Sequence, residues 1–449
     1  MSAPGLFSAR YRLISIGAVA LIFVAAFENL AVTTVMPVIS AELNGEALYA
    51  VAFAAPLAAS VVGMVVAGIW CDRTGPRAPL LLAVALFTAG LVIAGTAASM
   101  EWIVAGRLVQ GLGSGATTVC LYVIVARVYP PALQARMFGL FSAAWVLPAL
   151  VGPFVAGIVG ETVGWRWVFI GVVALIVPSA FMIAPAMRTL RATDTDEPRT
   201  RARWPLARTA WSVVLAVAVL ALSVSTEFGG AAVFVVAVLA LVVALVALRP
   251  LVPAGVLLAR IGLPSIITTR FLLAGAFFST EVYLPYLLTS EHGLNPAFAG
   301  LTLTTGGVAW GAASVIQSPL SGRFATGVGV PIGIAAVVLA IGVVAATAFW
   351  SPPVWVAVLG WTVSGAGMGL AYPRLSTLLL GRSERAEQGF NSAALNIADG
   401  AGPAMALALA GILFQTMPGA SGLAFTGVFV LGLACALAAL LVSPRALAR

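Results

Sequence analysis

A few charged side chains stranded in apolar surroundings carry the chemistry available to this chain. Glu28 lies in Ala26-Phe27-Glu28-Asn29-Leu30, and Arg107 in Ala105-Gly106-Arg107-Leu108. Glu281 lies in Phe277-Phe278-Ser279-Thr280-Glu281-Val282-Tyr283, and Asp399 in Ile397-Ala398-Asp399-Gly400. If these runs cross a bilayer, each such charge costs roughly 2.5–3.5 kcal/mol at the helix centre and calls for a partner or a wet cavity. A buried carboxyl beside an arginine, reached alternately from two sides, is a workable proton carrier, because burial favours the neutral form of a carboxyl and a guanidinium favours the charged one. Arg107 either meets such a partner or snorkels to an interface about a turn away. Glu281, flanked by aromatics, is either a site for protons or amphipathic cations or an acid hydrogen-bonded to a neighbouring helix. Asp399 and Arg374 are expected to pair, and Arg270, near a helix entry, is expected to be an interfacial anchor. Tyr122, Trp145, Phe278, Tyr286, Trp310 and Tyr372 are aromatic candidates for lining a central cavity.

Other chemistries lack their residues. There is no lysine and so no G-x-x-x-x-G-K-[ST] loop, which removes an ATP-driven pump from this chain. The sequence also lacks G-x-S-x-G, H-E-x-x-H and any metal-ligand cluster, so neither an enzyme nor a metal site is expected. Cys71, Cys120 and Cys435 suggest no disulfide framework. Lone His292 reads as a solvated loop residue.

The elements positioning these residues follow from composition. Of 449 residues, 61% are hydrophobic and only 8% charged, where a soluble domain carries about 25% charged residues. Such a chain needs lipid as its solvent. The net charge of +8 comes entirely from arginine and sits mostly in short loops, which is topology signalling rather than nucleic-acid binding. About 20 apolar residues are needed per crossing. Fourteen runs qualify, near 12–38, 48–70, 79–99, 103–128, 138–160, 166–187, 209–226, 230–248, 264–288, 297–320, 327–349, 353–380, 388–416 and 421–443. Residues 249–263 read as an interfacial elbow, and the first run as a retained helix rather than a signal peptide. With both termini cytoplasmic, inner loops hold most of the arginines, while outer loops hold Glu42, Glu46, Glu101, Glu161, Glu227 and Glu291. Twelve crossings would satisfy the same parity if 209–248 lay on the surface. Trp102, Trp165 and Trp350 read as interface-belt residues.

Six runs, an arginine-rich linker with two further runs, then six more suggest an internally duplicated architecture. The expected division is a first six-helix bundle over 1–187, an inner-face linker with two extra helices and the elbow over 188–263, and a second six-helix bundle over 264–449.

Motifs in the first half carry a resemblance. Gly68-Ile69-Trp70-Cys71-Asp72-Arg73-Thr74-Gly75-Pro76-Arg77 matches G-x-x-x-D-R-x-G-x-R. Gly68 permits close helix approach there, and Gly75 a tight reversal. Arg107-Leu108-Val109-Gln110-Gly111 resembles R-x-x-Q-G. Gly139, Pro148 and Gly152-Pro153-Phe154-Val155-Ala156-Gly157 follow G-x8-G-x3-G-P-x2-G-G with two glycines replaced, a kinked helix with a small-residue face. Trp165-Arg166-Trp167-Val168-Phe169 resembles W-R-W-x-F, and Glu28 stands where the related L-D-x-T-V-V-N-V-A-L-P stretch has its acid. In the second half Ser321-Gly322-Arg323-Phe324 keeps only the arginine of the first motif.

Together these resemble the major facilitator superfamily, and within it the fourteen-helix drug:proton antiporters. The resemblance implies an all-α polytopic membrane protein of the major facilitator fold with 14 transmembrane helices, exporting small amphipathic compounds or drugs by alternating access. Export of lipid or cell-envelope precursors, proton-coupled uptake and a non-transporting scaffold are the alternatives. It further implies Glu28 as proton-coupling carboxyl, Arg107 as its modulator, Glu281 and Asp399 as further embedded acids, and Gly68, Asp72, Arg73, Gly75 and Arg77 as a conformational gate. Gly152, Pro153 and Gly157 would shape the central interface. The expected partners are a small-molecule or lipid substrate, protons and the lipid bilayer. The protein is expected as a monomer in the plasma membrane, driven by a proton gradient with no cofactor.

Overall fold

The computed structural model describes residues 6–8, 11–193, 206–228, 232–317, 328–384, 387–417 and 421–448. Hydrocarbon offers no hydrogen-bond partners, so an apolar chain crossing it must satisfy its backbone internally, and helices do so. The described residues form fifteen α-helices and no strand. These are α1 (Arg12–Glu42), α2 (Tyr49–Thr74), α3 (Arg77–Gly95), α4 (Met100–Val128), α5 (Pro131–Ala143), α6 (Val146–Val159), α7 (Arg166–Thr193) and α8 (Leu206–Ser223). They continue as α9 (Ala232–Leu248), α10 (Leu263–Ser290), α11 (Pro296–Gln317), α12 (Gly329–Trp350), α13 (Trp355–Arg382), α14 (Gln388–Thr416) and α15 (Ser421–Leu447). Thirteen stretches among the described residues are long and apolar enough to cross a membrane. The 28-residue α13, whose Gly, Ser and Thr lower its hydropathy but not its length, makes a fourteenth. The expected count therefore stands.

One expected helix is in fact two. The run 138–160 is broken at Ala144–Trp145, giving α5 and α6 in place of a single kinked helix. Pro148 has no N–H to offer the Ala144 carbonyl, and its ring collides with a carbonyl four residues back. After α6 a single π-helical turn, Gly160–Gly164, leads into α7. Residues 249–262 form the expected elbow, with two short turns at Arg249–Leu251 and Val256–Leu258 and positive φ at Gly255, Ala259 and Gly262. The linker cluster from 194 to 205, residues 229–231 between α8 and α9, and Ser321–Phe324 lie outside the described residues.

An even number of crossings puts both chain ends on one face, here the terminal face, opposite the far face. Helices α1–α4, α6 and α7 pack on one another, as do α10–α15. The two groups meet where α6 packs on α11 and α2 on α14. Helix α8 rests against both α2 and α14 and carries α9 on its outer side. Lipid-facing residues such as Phe234, Val238, Leu239 and Val242 leave α9 exposed.

Within the first group, close approach depends on the glycines of α4. A Cβ at Gly111 would fall 2.2 Å from the Pro56 carbonyl oxygen, and one at Gly115 2.1 Å from that of Ser60. Without a hydrophobic force between helices in lipid, such contacts supply much of the association. Gly111→Ala is expected to cost about 1–3 kcal/mol by forcing α2 and α4 apart. A lowered unfolding temperature in detergent, beside an unshifted Gly171→Ala control (nothing lies within 4 Å of that site), checks it.

Candidate functional site

The first group holds a buried ion pair where the sequence placed one. Glu28 lies sixteen residues into α1, about 24 Å from its start at 1.5 Å per residue. Arg107 enters from α4, seven residues from the far-face end, and its Nη1 donates to Glu28 Oε1. The same nitrogen donates to Gln110 Oε1 at 2.9 Å, and Nε donates to the Ala52 carbonyl of α2 at 3.3 Å. The two side chains are 5% and 6% exposed. Arg107 does not snorkel; one guanidinium ties α1, α2 and α4 together.

Glu281 occupies the matching place in the second group, about 27 Å along α10 at the same rise. It is buried, and no hydrogen bond or ion pair of its carboxyl is found among the described residues. Thr362, seven residues into α13 as Arg107 is into α4, supplies no charge and donates instead to Thr305 Oγ1 at 2.9 Å. The two halves thus differ: one acid has its cation, the other has none.

Asp399 and Arg374 do not pair, contrary to expectation. Asp399 accepts from Arg270, with Nε to Oδ1 at 2.6 Å and Nη2 to Oδ2 at 2.8 Å, and from the Tyr372 hydroxyl at 2.6 Å. Arg374 lies against Gly329 of α12 instead. Arg270 is accordingly buried rather than an interfacial anchor. Sequence reading missed it because an arginine about 10 Å into a helix is within snorkelling reach of the interface. Its signal was the apolar run on both sides.

The aromatic candidates divide. Phe278 packs edge-on against Phe277, whose ring stacks on Trp361 at 4.5 Å and meets Trp310 at 5.3 Å. Trp310 meets Tyr372 at 5.2 Å. Tyr122, on α4, is within electrostatic reach of Asp399 and Arg270 across the seam. Tyr286 belongs elsewhere, in a far-face cluster with Tyr49, Phe414 and Phe425. Trp145 stands at the α5–α6 break, 44% exposed and apart from both clusters.

The far face is closed. The Tyr49 hydroxyl donates to the Val282 carbonyl at 3.0 Å, and the Gln415 amide to the Ala47 carbonyl at 2.6 Å, each joining the two groups. A Cβ at Gly157 would fall 2.6 Å from Ala297 Cα, and one at Gly300 3.0 Å from the Pro153 carbonyl oxygen. Gly157 and Pro153 therefore form the expected close seam, while Gly152 makes only ordinary contact with Phe27. Trp165, expected in the interface belt, is buried because its indole and Arg166 both donate to Glu42 at the end of α1. Trp102 and Trp350 are exposed as expected. His292 is half-buried rather than solvated.

At the terminal face Gly75 ends α2 with φ +84°, the reversal its position required. Asp72 is exposed and within electrostatic reach of Arg127, which donates to the Cys71 carbonyl at 3.2 Å. Arg73 and Arg77 are half-buried beside it. A Cβ at Gly68 would meet only Val119 Cγ1, at 3.8 Å, so Gly68 is not the close-approach point expected.

This arrangement is that of a membrane transporter fold. The family model described as Major Facilitator Superfamily matches residues 18–280, and the chain belongs to that superfamily. A protein of Mycobacterium tuberculosis named "Probable multidrug-efflux transporter" is 26% identical over 430 residues, covering 88% of this chain and 86% of the relative. Multidrug resistance protein 3 of Bacillus subtilis is 26% identical, covering 68% of this chain and 60% of the relative. An MFS-type transporter of the acurin A biosynthesis cluster in Aspergillus aculeatus is 32% identical, covering 42% of this chain and 34% of the relative. The chain thus spans a third of the Aspergillus protein's length and three fifths of the Bacillus protein's. Among solved structures, a POT family transporter in complex with 5-aminolevulinic acid superposes with TM-score 0.68 at 15% identity, covering 99% of each chain. The xylose transporter XylE of E. coli superposes with TM-score 0.61 at 16% identity, covering 96% of this chain and 97% of that one.

Proposed function

We propose that this protein is a proton-coupled exporter of small amphipathic compounds, exchanging them for protons by alternating access. The observation that carries the reading is the Glu28–Arg107 pair, sealed from solvent just inside the closed far face. In an outward-open state that pair would meet external water, and Glu28 would take a proton and loosen its hold on Arg107. Closing the far face and opening the terminal face would then deliver the proton inward. Glu281 serves as a second proton site or as a site for a substrate's positive charge, and Asp399 completes the set of embedded acids. Phe278, Trp310 and Tyr122 offer half-buried aromatic surface to an apolar substrate. The names of the Mycobacterium and Bacillus relatives support drugs as the cargo.

The arginine distribution supports cytoplasmic termini in a plasma membrane, and the packing supports bundles over 1–187 and 264–449 joined by the 188–263 linker. The working unit is a monomer, driven by the proton gradient with no cofactor. Each proton crossing 100 mV supplies roughly 2.3 kcal/mol, about a fifty-fold gradient of a neutral solute.

Acidified inside-out vesicles test this with a panel of amphipathic dyes, drugs and lipids. At least one compound is expected to discharge the gradient with the unmodified protein and not with Glu28→Gln. Equal discharge by both forms would make Glu28 structural. Discharge only by lipids would move the cargo to envelope precursors.

A further inference from the structure

We infer that Arg270 is a substrate-recognising residue whose guanidinium holds the carboxylate of an amphipathic anion, taken in exchange for Asp399. The inference deepens the export reading and rests on it. Three features of the cluster argue for it.

The first is geometry. Nε and Nη2 of Arg270 form a two-pronged donor facing Asp399, at 2.6 and 2.8 Å, and that fork fits any carboxylate equally well. The second is that neither partner is abandoned by the exchange. Nη1 stays anchored to the Tyr372 carbonyl at 2.7 Å and to Ser376 Oγ at 3.1 Å, so the guanidinium keeps its place without Asp399. The Tyr372 ring lies beneath it as a cation–π platform. Asp399 in turn keeps the Tyr372 hydroxyl as a donor.

The third is place. Asp399 retains 24% side-chain exposure inside the bundle, and its neighbour Gly400 faces Val61 and Ser60 of α2, so the pair lies at the seam between the two groups. Half-buried Trp310 and Tyr372 flank it, and Tyr122 of α4 is within electrostatic reach of it from the first group. Arg270 lies about 10 Å from the terminal-face end of α10, and Tyr122 about 9 Å from that end of α4. With the far face shut, the terminal face is the side from which a solute would approach this cluster. An acid group on an aromatic body would satisfy both the fork and the ring walls. Arg270 and Glu281 are about 16 Å apart along α10, so acidic and basic substrate groups would be read at separate depths.

Fluorescein, an aromatic carboxylate, is the probe. Its binding to purified protein is followed by anisotropy, and the unfolding temperature of each variant confirms a folded sample. Asp399→Asn removes the competing carboxylate while keeping a side chain for the Tyr372 hydroxyl, and is expected to tighten fluorescein at least tenfold. Arg270→Gln combined with Asp399→Asn leaves no buried charge unpaired and is expected to lose that binding. Tightening followed by loss is a signature that a structural ion pair would not give. Equal affinity in all three forms, or weaker binding in Asp399→Asn, overturns the inference. Ethidium-driven discharge of a proton gradient by the unmodified protein in vesicles separately tests export. Ethidium discharge with unchanged fluorescein affinities would sink the anion site and leave the exporter standing.

Discussion

Arg107→Ala will abolish substrate-driven proton movement and destabilise the protein by about 3–5 kcal/mol, since removing one member of a buried pair strands the other. Glu28 would remain 6% exposed with no cation, and the Ala52 carbonyl and Gln110 would lose the donor that now joins them. The double variant Arg107→Ala with Glu28→Gln separates the two effects. Its unfolding temperature should recover much of the loss, because no charge is then buried alone, while proton movement stays absent. Recovery of both would mean that the pair holds helices and carries no protons. Full stability in Arg107→Ala alone would mean that water reaches Glu28.

Gly157→Val will hold the far face open. The new Cβ would fall 2.6 Å from Ala297 Cα, a backbone atom that moves only with α11 as a whole. The close α6–α11 seam could not form, and the closed state described here would be lost in favour of one open at the far face. Transport is expected to fall at least tenfold with the fold intact. The check is a single cysteine at Thr34, fully buried beside Gly300, in a protein freed of its three native cysteines. Labelling by an impermeant maleimide from the far face should accelerate about tenfold in the Gly157→Val background. Unchanged labelling would show that α6 and α11 can slide rather than part.

Much of the fold was legible because lipid leaves the chain so few choices. Long apolar runs had to be helices, and their charged ends marked the loops. The Glu28–Arg107 contact was legible for a related reason, since two opposite charges at one depth in lipid have strong cause to meet. The same logic failed for Arg270, Arg374 and Asp399. Depth alone allowed two partners for one acid, and the choice depended on how α10, α13 and α14 are rotated about their axes. The break at Ala144 was readable from Pro148, although its position four residues upstream is easily mistaken for the proline's own. Tyr286 and Trp145 show where reading by composition ends. Aromatic side chains suit a cavity, a helix seam and lipid alike, and only packing assigns them.

Helix α8 leans on α2 and α14 at once, with α9 backed against it and Phe234, Val235, Val238 and Leu239 turned outward. Under the proposed alternating access, a cleft between the two halves would have two flanks open to the bilayer, and here one of them is walled. A compound dissolved in the membrane cannot slip in sideways past α2 and α14 without first prising the hairpin away. Sideways traffic is left to the opposite flank, beside α5, α6 and α11, where the fifth crossing is already divided in two.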